Sequence, residues 1–177
     1  EIYGRKFRVA NYQDRLLAIS EALMSLNVSL EDTIMDYFSE SQRKNKSGYQ
    51  LQNMFMNDCF SVLEFYKATR KQLEDFSKGV KPKDFLNAKR IYEIVQFLEI
   101  YMREKGLRTY SDQINDILDY FKEKKEVIPE FTHVLVDEYQ DVNSSQVELL
   151  DLLDSKNYFF VGDPRQSIFG WRGSQVN

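Results

Sequence analysis

Between residues 11 and 125, hydrophobic side chains recur every three or four positions, with polar and charged side chains between them. This spacing is typical of amphipathic helices that turn one face towards a core. Ser29 and either Thr109 or Ser111 are placed to cap helices, and Gly79 and Gly106 are placed to end them. The pattern therefore predicts helices over residues 11–26, 30–38, 49–78, 84–105 and 111–125.

Two segments before residue 130 lack this helical spacing, one ahead of the first predicted helix and one between the second and the third. Residues 1–10 are basic and aromatic and predict either a strand or an extended entry, and residues 42–48 are polar and rich in lysine. The second segment predicts an exposed loop. Pro129 then ends the helical pattern.

After Pro129 the chain contains two short apolar runs that both lead into acidic residues. Residues 134–136 are followed by Asp137 and Glu138, and residues 158–161 are followed by Gly162 and Asp163. Continuous apolar runs of this length predict strands that are buried on both faces of a parallel sheet. Residues 144–154 between them predict a helix. Since ligands bind outside the carboxyl ends of such strands, the acids are candidate site residues.

Composition narrows the class of protein only modestly. The 177 residues are 42% hydrophobic and 29% charged with a net charge of −4, which excludes a disordered chain and a uniformly basic nucleic-acid binder. Cys59 and His133 are the only cysteine and histidine, so an intrachain disulfide and a Cys/His zinc site are excluded. Cys59 lies on an apolar stripe and predicts a buried small hydrophobe. We expect a cytoplasmic protein with no membrane partner.

From the ends of the sequence we expect a piece of a longer protein, and the alternative is a complete protein that was processed or cloned. The chain begins at Glu1 rather than at methionine, and it stops at Asn177, a few residues after its densest motif.

The pair Asp137 and Glu138 is a weak signal by itself, because many strands end in acids for solubility. Adjacent carboxylates can also hold Mg²⁺ and polarise water for nucleotide hydrolysis. The longer pattern is more specific. The chain contains the block V-D-E-Y-Q-D, and the block V-G-D-P-R-Q-S-I-F-G-W-R-G begins about two dozen residues after the start of the first. Together the two blocks resemble motifs II and III of superfamily-1 DNA helicases of the UvrD/Rep type. The resemblance is specific over residues 131–177 and loose in the helical part.

This resemblance implies an α/β fold, in which a mostly helical insertion precedes part of a parallel-sheet P-loop NTPase (RecA-like) motor domain. The implied boundary separates residues 1–126, the helical subdomain, from residues 127–177, the motor-domain part with Walker B and motif III. The implied cofactors are ATP and Mg²⁺. The implied partners are single-stranded DNA, duplex junctions and the remaining helicase domains.

The resemblance also implies roles for individual residues in the ATP site. Asp137 matches the acid that holds Mg²⁺, and Glu138 matches the acid that activates the attacking water. Gln140 and Asp141 complete motif II and link the ATP site to its neighbours. Gln166 matches the glutamine that senses the γ-phosphate, for which an amide is suited because it both donates and accepts.

The DNA-facing roles fall at the end of motif III. Trp171 matches the aromatic on which a single-stranded base stacks, although composition alone would make it a core anchor. Phe169 stands where the family usually has tyrosine, so a hydroxyl contact is lost while packing is kept. Arg172 either contacts phosphate or braces Trp171. Pro164, Arg165 and Ser174 are variants within motif III and leave open whether this is a stand-alone helicase or a helicase subunit of a recombination nuclease.

The phosphate loop of the family, G-x-x-x-x-G-K-S/T, is missing, because none of the seven glycines begins such a motif. We therefore expect the isolated chain neither to bind ATP tightly nor to hydrolyse it. The leading hypothesis is a fragment of an ATP-dependent DNA helicase that steps 3′ to 5′ on single-stranded DNA and unwinds duplexes. The alternatives are a non-catalytic helicase-like module that binds DNA or protein, and a helical interaction domain with an accidental match.

Overall fold

The computed structural model describes residues 6–71, 80–81 and 84–166. Helices dominate its first two thirds, and short parallel strands accompany them. In chain order the elements are β1 Arg8–Val9, α1 Tyr12–Ser25, α2 Leu30–Tyr37, α3 Glu40–Arg43, α4 Gly48–Thr69, α5 Phe85–Glu104, β2 Leu107–Arg108, α6 Tyr110–Glu123, β3 Val134–Val136, α7 Ser144–Leu153 and β4 Tyr158–Phe160, with 3₁₀ turns at Lys125–Val127, Tyr139–Asp141 and Pro164–Gln166.

Side-chain caps explain where most helices begin. Ser29 accepts a hydrogen bond from the backbone N–H of Asp32 at the start of α2, as the sequence predicts. Thr109, rather than Ser111, caps α6 in a reciprocal box with Asp112. Each cap satisfies a backbone donor that the first turn of a helix cannot satisfy internally.

The chain forms two compact units. The helical unit consists of the described residues in 7–63 and 72–108, and the motif unit consists of those in 1–6, 64–71 and 109–177. In the helical unit, β1 pairs in parallel with β2, with Arg8 opposite Leu107 and Val9 opposite Arg108. The apolar faces of its helices form a dense core whose largest fully buried members are Phe55, Met56, Leu63, Ile94, Leu98 and Met102. Cys59 is also fully buried there, as predicted, and burial raises the pKa of its thiol.

Helix α4 ends earlier than its hydrophobic spacing predicts. It stops at Thr69 instead of continuing to Lys78, because Arg70 adopts a left-handed backbone with φ of 51°. Two side chains of the motif unit satisfy carbonyls of its last turn. Asn115 Nδ2 donates to the Lys67 carbonyl at 3.0 Å and Ser145 Oγ donates to the Ala68 carbonyl at 3.0 Å. Tertiary capping therefore replaces the continuation of the helix. The helix end predicted at Gly79 lies outside the described residues.

The motif unit contains a second parallel pair, β3 and β4, with Val134 opposite Tyr158 and Val136 opposite Phe160. The prediction that both strands are buried on both faces is wrong for the described residues: Leu135 is 73% exposed and Phe159 is 62% exposed. These two residues face each other across the pair, and no described layer covers that face. The predicted loop at 42–48 is also shorter than expected, because α3 includes Gln42 and Arg43 and α4 begins at Gly48.

The architecture agrees with the fold class that the sequence indicates. It combines a mostly helical part with short parallel strands, as expected for a helical insertion followed by part of a P-loop NTPase domain. The boundary between residues 1–126 and 127–177 remains a prediction. It separates two domains of the helicase family, whereas the two units described above are defined by compactness alone. No helix among the described residues has the length and apolar character needed to cross a bilayer.

Candidate functional site

The acids of motif II lie at the carboxyl end of β3. Asp137 and Glu138 are both exposed, and the backbone N–H of Glu138 donates to Asp137 Oδ1 at 2.8 Å. Glu138 has a left-handed backbone, with φ of 51° and ψ of 42°. Such a conformation is uncommon for a residue with a side chain, and it turns the chain sharply out of the strand. The two carboxylates therefore stand at the open edge where parallel sheets place their ligands.

Motif III follows β4 at the same edge. The backbone N–H of Val161 donates to the Val136 carbonyl at 2.9 Å, and the N–H of Tyr139 donates to the Val161 carbonyl at 2.9 Å. The backbone pairing thus extends past the ends of both strands, to Val161 after β4 and to Tyr139 after β3. It brings the residues after β3 beside the residues after β4, although the two motifs are separated by α7 in the sequence.

Gln140 joins the two motifs through its side chain. Its Nε2 donates to Glu138 Oε2 at 2.5 Å, and its Oε1 accepts from the backbone N–H of Asp163 at 2.9 Å. The side chain is well shielded, with 7% of the residue exposed. Asp141 lies beside it and is partly buried.

Gly162 makes this contact sterically feasible. A Cβ at this position would lie 2.4 Å from Gln140 Oε1, 3.0 Å from the backbone nitrogen of Tyr139 and 3.1 Å from that of Gln140. By itself, a glycine at this place in the sequence predicts no more than a turn residue. Glycine is required here because two backbones approach closely, and the signal in the sequence is the glycine between Val161 and Asp163.

Asp163 organises the turn that carries Gln166. Its Oδ1 accepts from the Arg165 N–H at 3.0 Å and from Arg165 Nε at 3.2 Å, and its Oδ2 accepts from Gln166 Nε2 at 3.2 Å. The Arg165 side chain is the main cause that lowers the pKa of the Asp163 carboxyl, and the Arg165 N–H and the Gln166 amide add to the effect. The exposed Gln166 amide is therefore held at the same edge as Asp137 and Glu138.

Of the residues predicted for the site, the structure brings Asp137, Glu138, Gln140, Asp141 and Gln166 to one edge of the β3–β4 pair. The residues predicted to meet DNA, Phe169, Trp171 and Arg172, lie outside the described residues.

The carboxylates fit a magnesium ion of the kind that accompanies a nucleotide. Such an ion takes one or two protein carboxylates, and phosphate and water oxygens complete its coordination. The exposed pair Asp137 and Glu138 provides that number of carboxylates. Within the described residues there is no cluster of three or more His, Cys, Asp or Glu side chains, which is the composition of an all-protein metal site.

Comparison with known proteins gives a consistent result. The chain is 37% identical over 94 residues to a protein named "Probable DNA helicase" from Mycoplasma pneumoniae, which covers 50% of this chain and 18% of that protein. It is 31% identical over 110 residues to DNA helicase II from Haemophilus influenzae, covering 56% of this chain and 15% of the relative. It is 42% identical over 67 residues to ATP-dependent DNA helicase PcrA from Staphylococcus aureus, covering 37% of this chain and 8% of the relative.

The chain thus spans less than a fifth of the length of each of these curated relatives. The family model for the UvrD/REP helicase N-terminal domain matches residues 3–177, almost the whole chain. The match is far too extensive for an accidental resemblance of two motifs, and we conclude that the chain belongs to the UvrD/REP helicase N-terminal domain family.

Proposed function

We propose that this chain is part of the first motor domain of an ATP-dependent DNA helicase, in which residues 1–126 form a helical insertion and residues 127–177 form part of the RecA-like domain. The observation that carries the proposal is the bridge made by Gln140 between Glu138 of motif II and the backbone of Asp163 in motif III. The bridge places an exposed acid pair and the Gln166 turn at one edge of the strand pair, which suits a nucleotide with its metal ion.

In this proposal each residue of the site has a separate role in ATP hydrolysis. Asp137 would hold Mg²⁺, and the ion would supply positive charge that stabilises the negative charge developing on the phosphates. Glu138 orients and deprotonates the attacking water, since its carboxylate stands at the strand edge beside Asp137. Gln166 donates its amide to the γ-phosphate. Asp141 supports the motif II turn beside Gln140, and Arg172 either contacts phosphate or braces Trp171.

The same proposal assigns the DNA-facing residues. Trp171 stacks on an unpaired base, which any base permits because each has a π face. Phe169 contributes packing beside it. ATP hydrolysis then drives stepping along single-stranded DNA, in the 3′ to 5′ direction that the family resemblance implies, and the remaining helicase domains complete the ATP site. We place the protein in the cytoplasm with DNA as its partner.

The test measures ATP hydrolysis by the full-length polypeptide that contains this chain, with and without single-stranded DNA. We expect single-stranded DNA to stimulate ATP turnover. Glu138→Gln should abolish this turnover, and Trp171→Ala should remove its stimulation by DNA. A full-length polypeptide that binds DNA without hydrolysing ATP would instead establish the non-catalytic module. In the same assay the isolated 177-residue chain should be inactive, because it lacks the phosphate loop.

A further inference from the structure

Gln140 occupies an unusual position for a polar side chain. The residue is 7% exposed, lies in the turn directly after the motif II acids, and has both ends of its amide engaged by different segments. Nε2 donates to the Glu138 carboxylate at 2.5 Å and Oε1 accepts from the Asp163 N–H at 2.9 Å. Buried amides with both ends paired to protein groups are geometrically constrained, because each hydrogen bond fixes the orientation of the other.

The surroundings of the amide restrict it further. The position at which Gly162 would carry a Cβ lies 2.4 Å from Gln140 Oε1, so the amide packs directly against the backbone after β4. The Tyr139 N–H, one residue before Gln140, is itself bonded to the Val161 carbonyl at 2.9 Å. Gln140 is therefore held by its own backbone turn on one side and by the motif III backbone on the other.

Glu138 depends on this arrangement more than an ordinary surface acid would. Its backbone is in the left-handed region and lies outside β3. The direction of its side chain is therefore set by local contacts and not by the geometry of a strand or helix. The Gln140 amide supplies such a contact and donates to an ionisable acceptor, which is among the stronger kinds of hydrogen bond.

We propose that Gln140 is a positioning residue for hydrolysis: its amide fixes the orientation of the Glu138 carboxylate and links that orientation to the backbone of Asp163. This inference rests on the proposed function, in which Glu138 activates water. The added role is that Gln140 affects hydrolysis by orienting Glu138 and not by contacting the nucleotide. Only a side chain that donates at one end and accepts at the other, at glutamine length, satisfies both partners. Glutamate keeps the acceptor for Asp163 and loses the donor for Glu138, and methionine loses both.

The experiment compares Gln140→Glu and Gln140→Met in the full-length polypeptide that contains this chain. Steady-state ATP turnover in the presence of single-stranded DNA gives kcat, and binding of a non-hydrolysable ATP analogue gives the nucleotide affinity. A hydrogen bond to a charged group is typically strong enough that its loss lowers kcat about 10- to 100-fold. The analogue affinity should change by less than about threefold, because in this proposal Gln140 acts through Glu138 and not through the nucleotide.

Gln146→Glu is the matched control. Gln146 lies at the third position of α7, where its Oε1 accepts from the Asn143 N–H at 3.0 Å, and glutamate preserves that contact. This variant adds the same charge to the same unit without touching Glu138, so its kcat should equal that of the wild type.

A double-mutant cycle with Glu138→Gln separates positioning from other roles. If Gln140 acts through Glu138, then Gln140→Met should lower the residual turnover of Glu138→Gln by less than about twofold. Additive losses in the cycle, or a parallel loss of analogue affinity, would assign Gln140 to the nucleotide and overturn the proposal. Loss of folding in both single variants, measured by circular dichroism, would make its role structural and overturn it as well.

The failure of the proposed function gives a different result. In that case the wild-type polypeptide itself shows no DNA-stimulated ATP turnover, and both the proposed function and the positioning role of Gln140 are wrong. An active wild type with unchanged Gln140 variants refutes the positioning role alone.

Discussion

Replacement of Gly162 by alanine tests the close approach of motifs II and III. The added Cβ would lie 2.4 Å from Gln140 Oε1, and 3.0 and 3.1 Å from the backbone nitrogens of Tyr139 and Gln140. Gly162 is not among the described residues with a positive φ, so backbone conformation does not require glycine here. The expected cost of Gly162→Ala is therefore steric.

The magnitude follows from three contributions. Forcing a methyl group into a packed region costs about 1–3 kcal/mol. Displacement of the Gln140 amide weakens its bond to the Asp163 N–H, which adds about 0.5–1.5 kcal/mol. The lower entropy of the unfolded alanine chain offsets about 0.4–1 kcal/mol. We expect a net loss of about 0.5–4 kcal/mol in the free energy required to open this region locally.

Native-state hydrogen exchange measures this loss where it occurs. The Tyr139 N–H donates to the Val161 carbonyl and the Asp163 N–H donates to Gln140. Both amides should exchange about 2- to 1,000-fold faster in Gly162→Ala, the factor that corresponds to the expected free energy. Urea unfolding of the 177-residue chain, followed by circular dichroism, gives the global free energy alongside.

Gly48→Ala is the matched control, because a Cβ at the first residue of α4 would meet nothing within 4 Å. Alanine favours a helix over glycine, so this variant should be neutral or stabilised by up to about 1 kcal/mol. Equal exchange rates in Gly162→Ala and Gly48→Ala would refute the close approach of the two motifs.

Further predictions concern stability and ionisation in the motif unit. Thr109→Ala removes the cap of α6 and should cost about 1 kcal/mol in urea unfolding. Lys67→Met removes the partner of Asp112, whose carboxylate lies 2.7 Å from Lys67 Nζ with side chains only 13% and 18% exposed, and should cost about 1–3 kcal/mol in the same assay. Arg165→Leu should raise the pKa of Asp163 towards its ordinary value in a carboxyl NMR titration, because Arg165 is the main cause that lowers it.

The two stability predictions each have a control variant. Thr132→Ala changes an exposed residue outside the helices and should leave stability unchanged. Lys89→Met breaks an exposed pair with Glu93, and such pairs typically contribute less than about 1 kcal/mol. If Lys67→Met costs no more than Lys89→Met, the partial burial of the Lys67 pair has no energetic consequence.

The sign of the pH dependence follows from the direction of the Asp163 shift. Its folded-state pKa lies below the ordinary value, so the Asp163 carboxylate favours the folded state at pH values above that ordinary pKa. This contribution is lost as the pH falls through the folded-state pKa. Arg165→Leu should therefore reduce the difference between stability at neutral pH and in acid.

Local signals in the sequence were sufficient for the starts of several helices and for the pair of strands that precede the acids of motifs II and III. Ser29 and Thr109 begin helices because their hydroxyls can reach a backbone N–H three residues on, a contact that depends on neighbouring residues alone. The two apolar runs with terminal acids likewise predicted a parallel pair with its acids at one edge, which the structure contains.

Features that depend on distant residues were not predictable in this way. The end of α4 at Thr69 depends on Asn115 and Ser145, which cap its last carbonyls from later in the chain. The pairing of β1 with β2, and the contact of Gln140 with the backbone beside Gly162, also join residues far apart in sequence. The assignments of Phe169, Trp171 and Arg172 rest on the family resemblance alone and remain predictions.

The most direct test of the central claim is steady-state ATP hydrolysis by the full-length polypeptide that contains this chain, with wild type and Glu138→Gln compared in saturating single-stranded DNA. We predict DNA-stimulated turnover in the wild type and a loss of about 100-fold or more in Glu138→Gln, with binding of a non-hydrolysable ATP analogue retained. Equal turnover by the two proteins would contradict it, because the acid at the end of β3 would then have no part in hydrolysis.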